Sequence, residues 1–492
     1  MTEKLKVNLP LKDRTLLKED LFIDGSWVAS SSGERSAVIN PATGEVIANV
    51  AMATREDVIR AIENSESGFR LWAKKTAVER AKIMRLWYQL IMENVEDLAL
   101  ILTSEQGKPL AEAKGEITYG AGFIEWYGEE GKRIYGETIP TNVASRRLLT
   151  IKQPIGVTAS ITPWNFPMAM IARKAGPALG AGCSMIIKPA TDTPLSANAM
   201  AELASRAGIP NGVLNVIVGE PKMVGEVITS SPIVKALSFT GSTEVGKILM
   251  AACAKTVKKV ALELGGNAPL IVFDDADLDV AVSGVIASKF RNSGQTCVCA
   301  NRILVQENIH DAFIAALKIA VTELKVGNGL DPASKQGPLI NEEAVAKVQS
   351  HISDALSKGA SLISGGKRLA GDGTFFEPTI ITGVTAEMLV CQEETFGPLA
   401  GVIKFKTEQE AIEIANNTPF GLAAYFFTKD NARTWRVGEA LEVGVVGINT
   451  GLISYEGAPF GGVKESGIGR EGSLHGVDEF VEIKYLCIDQ IN

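Results

Sequence analysis

The spacing of hydrophobic and polar residues divides the chain into a helical part and strand-rich parts. Along residues 56–130, apolar residues recur every three or four positions, which predicts a series of amphipathic helices. From residue 151 onward, short apolar runs such as 155–162, 183–190 and 213–219 alternate with helical segments. Because apolar strands that alternate with helices are typical of βαβ units, we expect a mainly parallel, buried sheet.

A second α/β series begins near residue 267 and ends at the apolar run 444–451. Two strand-like pieces, 135–152 and 481–489, lie apart from both series. A tail strand needs a partner edge in its own chain or in another copy, so we predict a small oligomerisation sheet.

Length, composition and charge exclude several classes of protein. The 492 residues correspond to about three domains of roughly 150 residues, and 46% hydrophobic with 22% charged residues is ordinary for a globular protein. The net charge of −8 does not favour nucleic acid, and no run of about 18 apolar residues predicts a membrane span. Three histidines without ligand spacing predict no metal site. Six scattered cysteines and no apolar signal segment favour a reducing compartment, and we expect the cytoplasm.

Two glycine-rich segments match nucleotide-binding motifs in an unfavourable context. Gly467–Gly472 fits G-x-G-x-x-G, but it follows no core strand and lies too near the end of the chain for a dinucleotide unit. Gly241–Lys247 resembles a P-loop, but Ile248 replaces the hydroxyl residue that would hold Mg²⁺. A strand that leads into a helix N-terminus still favours a diphosphate at this point. The second segment therefore predicts a cofactor site and argues against an NTPase.

Three further segments carry candidate chemistry. Cys297 stands in a polar loop, where a thiol acts as a nucleophile if a base or a lowered pKa activates it. Glu263 ends a β-rich run and precedes two glycines, which let backbone and ligand approach closely. Asn165 lies in the loop TPWNFP, whose two prolines would fix its amide as an oxyanion donor. Taken singly, such a cysteine is more often a small buried hydrophobic residue and such a glutamate a capping or surface acid, and the alternative for TPWNFP is a structural turn anchored by its Trp.

Seven segments taken together carry a family resemblance: TPWNFP, KPA, FTGSTEVG, ELGGNAP, GQTC, EETFGP and PFGGVKESGIGREG. In this order they resemble the NAD(P)-dependent aldehyde dehydrogenase superfamily over nearly the whole chain. The resemblance implies an α/β fold with two Rossmann-type parallel α/β domains and a small β oligomerisation sheet. It implies a cofactor-binding domain (1–131 and 153–263), a catalytic domain (264–477) and oligomerisation strands (132–152 and 478–492), in a homo-oligomer that is a dimer or a tetramer.

The family's residue roles carry over to the matching positions. Cys297 would attack the aldehyde carbonyl, and Asn165 with the Cys297 N–H would hold the oxyanion. Glu263 would activate the water that hydrolyses the thioester. Glu394 would bind the nicotinamide ribose, Lys188 the adenosine ribose region, and Gly241 with Ser242 the diphosphate. The whole set of expected cofactor contacts is Thr162, Pro163, Trp164, Lys188, Thr191, Gly241, Ser242, Leu264, Glu394 and Phe396.

Position 191 bears on the choice of cofactor. NAD-preferring members of the family often place Glu three residues after the KPA-type lysine, where it binds the ribose 2′-OH and repels a 2′-phosphate. Here Thr191 stands at that position, and Lys188 would face no competing acid. We therefore expect NADP to be preferred, with NAD as the alternative.

The segments around Asn165 and Cys297 are similar to the succinate-semialdehyde dehydrogenase branch. Arg173 and Arg291 would form a cationic clamp for a distal carboxylate, and Ser454 would be a third contact. Glutarate semialdehyde differs by one methylene, worth only about 1–3 kcal/mol, so it stays open. A neutral or aromatic aldehyde and a non-catalytic structural or binding protein are the remaining alternatives. Cys299 would be a redox partner of Cys297, since some members of the branch close such a pair into a disulfide.

Overall fold

The computed structural model describes residues 9–490; residues 1–8 and 491–492, which belong to the predicted cofactor-binding and oligomerisation segments, lie outside the described residues. The α-helices in this range are α1 (Arg55–Trp72), α2 (Ala77–Glu93), α3 (Val95–Gln106), α4 (Leu110–Glu130), α5 (Ala169–Ala181), α6 (Leu195–Arg206), α7 (Pro221–Ser230), α8 (Thr243–Cys253), α9 (Leu278–Val285), α10 (His310–Thr322), α11 (Glu342–Ser357), α12 (Leu389–Gln392), α13 (Glu408–Asn416) and α14 (Asn431–Ala440). The strands are β1 (Leu21–Ile23), β2 (Ser26–Val28), β3 (Arg35–Ile39), β4 (Val46–Ala51), β5 (Thr138–Ile139), β6 (Arg147–Pro154), β7 (Val157–Ile161), β8 (Ser184–Lys188), β9 (Leu214–Val216), β10 (Val234–Thr240), β11 (Lys259–Glu263), β12 (Ala268–Val272), β13 (Ala300–Gln306), β14 (Ser361–Ser364), β15 (Thr379–Thr382), β16 (Leu399–Phe405), β17 (Phe420–Gly421), β18 (Ala423–Phe427), β19 (Val445–Ile448), β20 (Val463–Lys464), β21 (Gly467–Ile468) and β22 (Val481–Ile488).

The helical segment begins as its sequence pattern indicates. Thr54 and Thr76 each accept from the backbone N–H three residues on, and Asp57 and Glu79 bond back, so capping boxes start α1 and α2. Gly107, with φ +99°, ends α3 in the left-handed region. Buried side chains from α2 and α4, such as Trp87 and Tyr127, pack with α5 into the core of the first domain. This packing fixes α5, which carries several site residues.

The first sheet places several loops at one edge. Its strand order is β2-β1-β9-β8-β7-β10-β11-β21 over the residues that the structure describes. Strands β9, β8, β7, β10 and β11 run parallel. Ile161 is in register with Lys188, and Thr240 with Glu263. The loops after these strands therefore meet at the carboxyl edge, where parallel α/β sheets bind ligands.

The second sheet faces this edge with the amino ends of its strands. Its order, within the described range, is β14-β15-β16-β13-β12-β18-β19, and every pair except β14–β15 is parallel. Ala268 pairs with Ala300, so β12 and β13 start side by side. Cys297 lies just before β13, and Glu394 lies just before β16. Both therefore approach the first sheet from the amino edge of the second.

A third, antiparallel sheet joins β22, β6 and β5. The predicted strand over 135–152 is divided: β5 has two residues and β6 runs on to Pro154. The face of β22 carries Ile483 and Tyr485, 68% and 55% exposed. These sheets confirm the predicted fold class, whereas the predicted domain boundaries and the oligomeric role of the small sheet stay predictions.

One short strand crosses the predicted division of the chain. β21, in the segment expected to be catalytic, pairs antiparallel with β11 and so belongs to the first sheet. Gly467 permits this pairing, because it has φ +153° and a Cβ there would lie 2.1 Å from the Leu262 carbonyl oxygen. The G-x-G-x-x-G segment is thus a glycine-rich edge strand and loop, as its context suggested.

Between residues 9 and 490 there is no helix of the length and hydrophobicity that crossing a bilayer requires. The same range contains no cluster of three or more His, Cys, Asp or Glu side chains arranged to hold a metal ion.

Candidate active site

The facing edges of the two large sheets enclose a cavity of about 330 Å³. The first sheet contributes the residues that follow its strands, and the second contributes Cys297 and the segment 394–396. Seven of the ten residues predicted to bind the cofactor line this cavity together with the three predicted catalytic residues: Pro163, Trp164, Asn165, Gly241, Ser242, Glu263, Leu264, Cys297, Glu394 and Phe396. The other three predicted cofactor residues, Thr162, Lys188 and Thr191, are not part of this lining. Sequence reasoning missed Lys347, which lines the same cavity from α11.

A second cavity, also about 330 Å³, opens on the other side of Cys297. Met170 and Cys297 are the residues common to the two linings. Because the thiol has a cavity on either side, it can meet one ligand from each. This arrangement suits a reaction between two bound molecules at one sulfur atom.

Glycines bring the parts of the site together. A Cβ at Gly266 would lie 2.5 Å from the Cys297 carbonyl oxygen, and one at Gly265 would lie 3.1 Å from Glu394 Oε2. The two glycines after Glu263 therefore allow the close backbone approach that the sequence predicted. Gly294, at φ +75°, does the same for the Cys297 loop against Gly397.

The amide of Asn165 is fixed on one side and available on the other. Its Nδ2 donates to the Gln295 carbonyl at 3.0 Å, and its Oδ1 accepts from the Phe166 N–H at 3.1 Å. Only one of the two Nδ2 hydrogens is used in this way. The other is left for a ligand, as an oxyanion donor requires.

The surroundings of Cys297 disfavour ionisation of its thiol. Burial raises its pKa to about 12, and the Glu394 carboxylate adds to this, while Arg173 opposes it. The thiol is therefore protonated at neutral pH, so of the two activation routes the sequence left open, a base is required.

Glu263 is a buried carboxyl without a hydrogen bond at Oε2. Burial raises its pKa well above the ordinary value; Glu471 raises it further, and Arg173 and Lys174 lower it. Sequence reasoning missed Glu471, which pairs with Arg173 Nε at 2.6 Å and with Lys174 Nζ at 2.5 Å. Glu471 lies in the segment PFGGVKESGIGREG, for which the sequence predicted a glycine-rich loop and no ion pair.

The loop after β8 holds the residues predicted to discriminate between cofactors. Lys188 is buried, its Nζ donates to the Pro189 carbonyl at 3.1 Å, and burial lowers its pKa to about 8. The expectation that it faces no competing acid is wrong, because Asp192 and Glu220 both raise that pKa. These acids come from the next turn and from the α7 cap, outside the three-residue spacing considered. The hydroxyls of Thr191 and Thr162 are buried without a hydrogen-bond partner.

Glu394 and Phe396 form the opposite wall. Burial raises the pKa of Glu394 to about 7, and its Oε1 accepts from the Gly266 N–H at 3.2 Å. The Phe396 ring packs edge-on against Trp164 with centroids 5.4 Å apart. His351 bonds to Thr395 and Glu393 on either side of Glu394 and so holds this segment.

The second cavity contains all three predicted substrate contacts, Arg173, Arg291 and Ser454. The two arginines differ. Arg173 is 2% exposed, paired with Glu471, and stacked 4.0 Å from the Phe460 ring centroid. Among the described residues Arg291 has no ion pair within 4 Å, so its charge is the more available. Lining residues that the sequence did not predict include Glu112, Glu116, Tyr119, Phe166, Leu452 and Phe460.

Cys299 lies deeper than Cys297. It is 6% exposed, and its Sγ donates weakly to the Lys289 carbonyl at 3.7 Å. Neither cysteine forms a disulfide with another described residue. A disulfide between them stays a prediction.

Comparison with known proteins identifies the family. Residues 27–486 match the model of the aldehyde dehydrogenase family. The chain is 58% identical to glutarate-semialdehyde dehydrogenase of Pseudomonas aeruginosa, over 98% of this chain and all of that one. It is equally identical, with the same coverage, to the NADP(+) succinate-semialdehyde dehydrogenase of Escherichia coli. The crystal structure of succinate-semialdehyde dehydrogenase from Burkholderia pseudomallei aligns with a TM-score of 0.97 at 60% identity, covering 98% of this chain and 100% of that one. The chain therefore belongs to the aldehyde dehydrogenase family, and the resemblance found in the sequence is confirmed.

Proposed function

We propose that this protein oxidises succinate semialdehyde to succinate with NADP⁺ as the preferred acceptor, through a thioester on Cys297. The observation that carries the proposal is the position of Cys297 between a cavity with a cofactor-type lining and a cavity with two arginines. A semialdehyde whose carboxylate is held by Arg291 would present its aldehyde to the thiol. Glutarate semialdehyde, one methylene longer, is the second candidate, favoured by the similarity to the Pseudomonas aeruginosa enzyme.

Unpartnered polar atoms support a dinucleotide in and beside the first cavity. Among the described residues, Thr240 Oγ1 and Glu263 Oε2 in its lining have no hydrogen-bond partner, and neither do the hydroxyls of Thr162 and Thr191, which follow β7 and β8. The N-terminus of α8, capped by Ser242, offers backbone N–H groups for the diphosphate. When bound, the nicotinamide supplies a hydride acceptor.

The chain's own residues provide the remaining chemistry. A base removes the Cys297 proton, and the sulfur attacks the aldehyde carbon to give a thiohemiacetal. The Asn165 amide and the Cys297 N–H donate to the oxygen as it gains negative charge. Loss of hydride from this carbon leaves a thioester. Glu263 then takes a proton from water, the resulting hydroxide attacks the thioester carbon, the C–S bond breaks to release the acid, and the proton on Glu263 returns to the Cys297 sulfur.

The proposal includes an oligomer, a dimer or tetramer, supported by the exposed apolar side chains on β22. It also includes a reducing compartment such as the cytoplasm, supported by six scattered cysteines that form no disulfide among the described residues. The division of the chain into cofactor-binding, catalytic and oligomerisation segments is part of the same proposal.

The test of substrate and cofactor is turnover of succinate semialdehyde with NADP⁺ and with NAD⁺. We expect faster turnover with NADP⁺, and a reversal of the preference by about tenfold or more in Thr191→Glu, because a carboxylate there repels a 2′-phosphate and accepts from a 2′-OH. Glutarate semialdehyde and butanal are assayed alongside. Good turnover of butanal with none of either semialdehyde would contradict the substrate proposal, and an unchanged cofactor preference in Thr191→Glu would contradict the role of position 191.

The pH dependence of turnover reports the ionisation of Glu263. Because a general base acts only when ionised and the pKa of Glu263 is raised, we expect kcat to increase as pH rises through that pKa. In Glu471→Gln a negative neighbour is lost while Arg173 and Lys174 remain, so the pKa of Glu263 falls. The ascending part of the plot of kcat against pH should then move to lower pH by about one unit.

Glu442→Gln, at a surface glutamate paired with Lys464, is the matched control and should leave the ascending part in place. If the Glu471→Gln protein has the wild-type melting temperature and the ascending part of its pH profile does not move, Glu263 does not govern the pH dependence of kcat.

A further inference from the structure

A buried ion pair that the catalytic sequence does not use lies beneath the Asn165 loop. Lys108, two residues after α3, contacts Glu116 of α4, with Nζ and Oε2 2.5 Å apart. Their side chains are 0% and 1% exposed. Removing two charges from water costs so much that such a pair contributes little net stability. Stability alone therefore does not account for this pair.

Lys108 contacts the Asn165 main chain and the neighbouring Phe166 ring. Its Nζ donates to the Asn165 carbonyl at 2.8 Å and lies 3.8 Å from the centroid of the Phe166 ring. Asn292 donates to the same carbonyl at 3.0 Å. The ammonium therefore fixes both the peptide that carries the amide and the ring that lines the second cavity.

Glu116 ties the same loop to the start of α5. Its Oε1 accepts from the Met168 N–H at 3.0 Å and from the Ala169 N–H at 3.2 Å. A carboxylate at a helix N-terminus is favoured by the helix dipole. Because α5 carries Arg173, one ion pair joins the oxyanion loop to the helix that carries a substrate contact.

We propose that Lys108 is a positioning residue for the Asn165 amide. Its ammonium, held by Glu116, fixes the 165–166 backbone so that the Nδ2 hydrogen not used by Gln295 faces the Cys297 cavity. The inference rests on the proposed function, because Asn165 has a reaction to assist only if Cys297 attacks a carbonyl. Lys108 itself touches neither proposed cavity wall at Cys297 and acts only through Asn165.

The charges around Lys108 give the proposal a second readout. Burial and Arg291 lower the pKa of Lys108, while Glu116 and Glu112 raise it. In Glu116→Gln the largest opposing charge is lost, so Lys108 should lose its proton at a lower pH than in the wild type. The Gln amide oxygen still accepts from the start of α5.

The first test compares Lys108→Met with the double variant Lys108→Met/Glu116→Gln. We expect kcat for succinate semialdehyde to fall about a hundredfold in Lys108→Met, with the KM for NADP⁺ unchanged, because a displaced donor weakens the developing oxyanion contact. The single variant also leaves a buried carboxylate unpaired and should melt earlier. The double variant removes that charge and should regain melting temperature while kcat stays low.

Lys258→Met is the matched control. Lys258 is also a buried lysine that donates to a main-chain carbonyl, that of Ser231, away from both cavities. It should keep the wild-type kcat. In Glu116→Gln, kcat should decline on the alkaline side beginning at a lower pH than in the wild type.

Three results separate the outcomes. Recovery of kcat together with melting temperature in the double variant would reduce the pair to a structural role and overturn the inference. A folded Lys108→Met variant with kcat within twofold of the wild type would also overturn the inference. The proposed function would still stand in that case, because the wild-type enzyme would still oxidise the aldehyde. If Asn165→Ala also turns over at the wild-type rate, the proposed oxyanion role fails, and the inference fails with it.

Discussion

Cys297→Ala is expected to abolish aldehyde oxidation, lowering kcat by about 10⁴-fold or more. The sulfur is the atom to which the aldehyde carbon is bonded in both proposed intermediates, and no neighbouring side chain can replace it. Cys299 is buried and turned toward the Lys289 carbonyl, so it does not offer a second nucleophile at the same place. Reduced nicotinamide, followed by absorbance at saturating aldehyde and NADP⁺, measures the effect.

Cys253→Ala is the matched control, because Cys253 is a buried thiol at the end of α8 that lines neither cavity. It should retain wild-type turnover. Cofactor binding, measured by fluorescence titration, should survive in Cys297→Ala. If the alanine variant still binds NADP⁺ and oxidises the aldehyde at a rate near that of the wild type, the covalent mechanism is wrong.

Arg291→Met is expected to raise the KM for succinate semialdehyde about a hundredfold and to leave the KM for butanal within about threefold. The guanidinium lies in the second cavity over the Phe166 ring, 5.6 Å from its centroid, and forms no ion pair with the described residues. A substrate carboxylate would be its partner, and losing such a charged hydrogen-bonded contact costs roughly 2–5 kcal/mol. Butanal has the same chain length without the carboxylate, so it reports only on packing.

Arg433→Met provides the comparison, since Arg433 also stacks on a phenylalanine, Phe273 at 4.4 Å, but lies outside both cavities. Equal increases in KM for the two aldehydes in Arg291→Met would assign Arg291 a structural role. The same substitution at Arg173 is less informative, because it also leaves Glu471 unpaired beside Glu263.

The sequence was most informative where local pattern and site coincide. Glu263 ends β11, Asn165 follows β7, and Cys297 precedes β13, because strand ends are set by the local change from apolar to polar residues. Glu471 and Lys108 were missed since their roles depend on partners far away in the chain: Glu471 meets α5 almost 300 positions earlier, and Lys108 meets Asn165 across 57 residues. No spacing rule reveals such contacts.

The same limit explains the two details that differed. Thr191 was correctly seen as lacking a carboxylate, but the acids near Lys188 include Glu220, brought there by the parallel pairing of β8 with β9. β21 joined the first sheet because Gly467 allows the backbones to approach, which depends on the tertiary position of β11. Strands β1 and β2, of three residues each, are too short to give a pattern, and β3 and β4, of five and six residues, were not predicted either.

The two cavities share only Met170 and Cys297, so the nucleotide and the aldehyde would occupy separate spaces that meet at the sulfur. The acyl group could therefore remain attached to the sulfur in the second cavity while the nucleotide in the first cavity is exchanged. Substitutions in the lining of the second cavity can then change which aldehyde binds without changing the nucleotide site. Relatives that differ in the aldehyde of their names and are each 57–58% identical to this chain are consistent with such a separation.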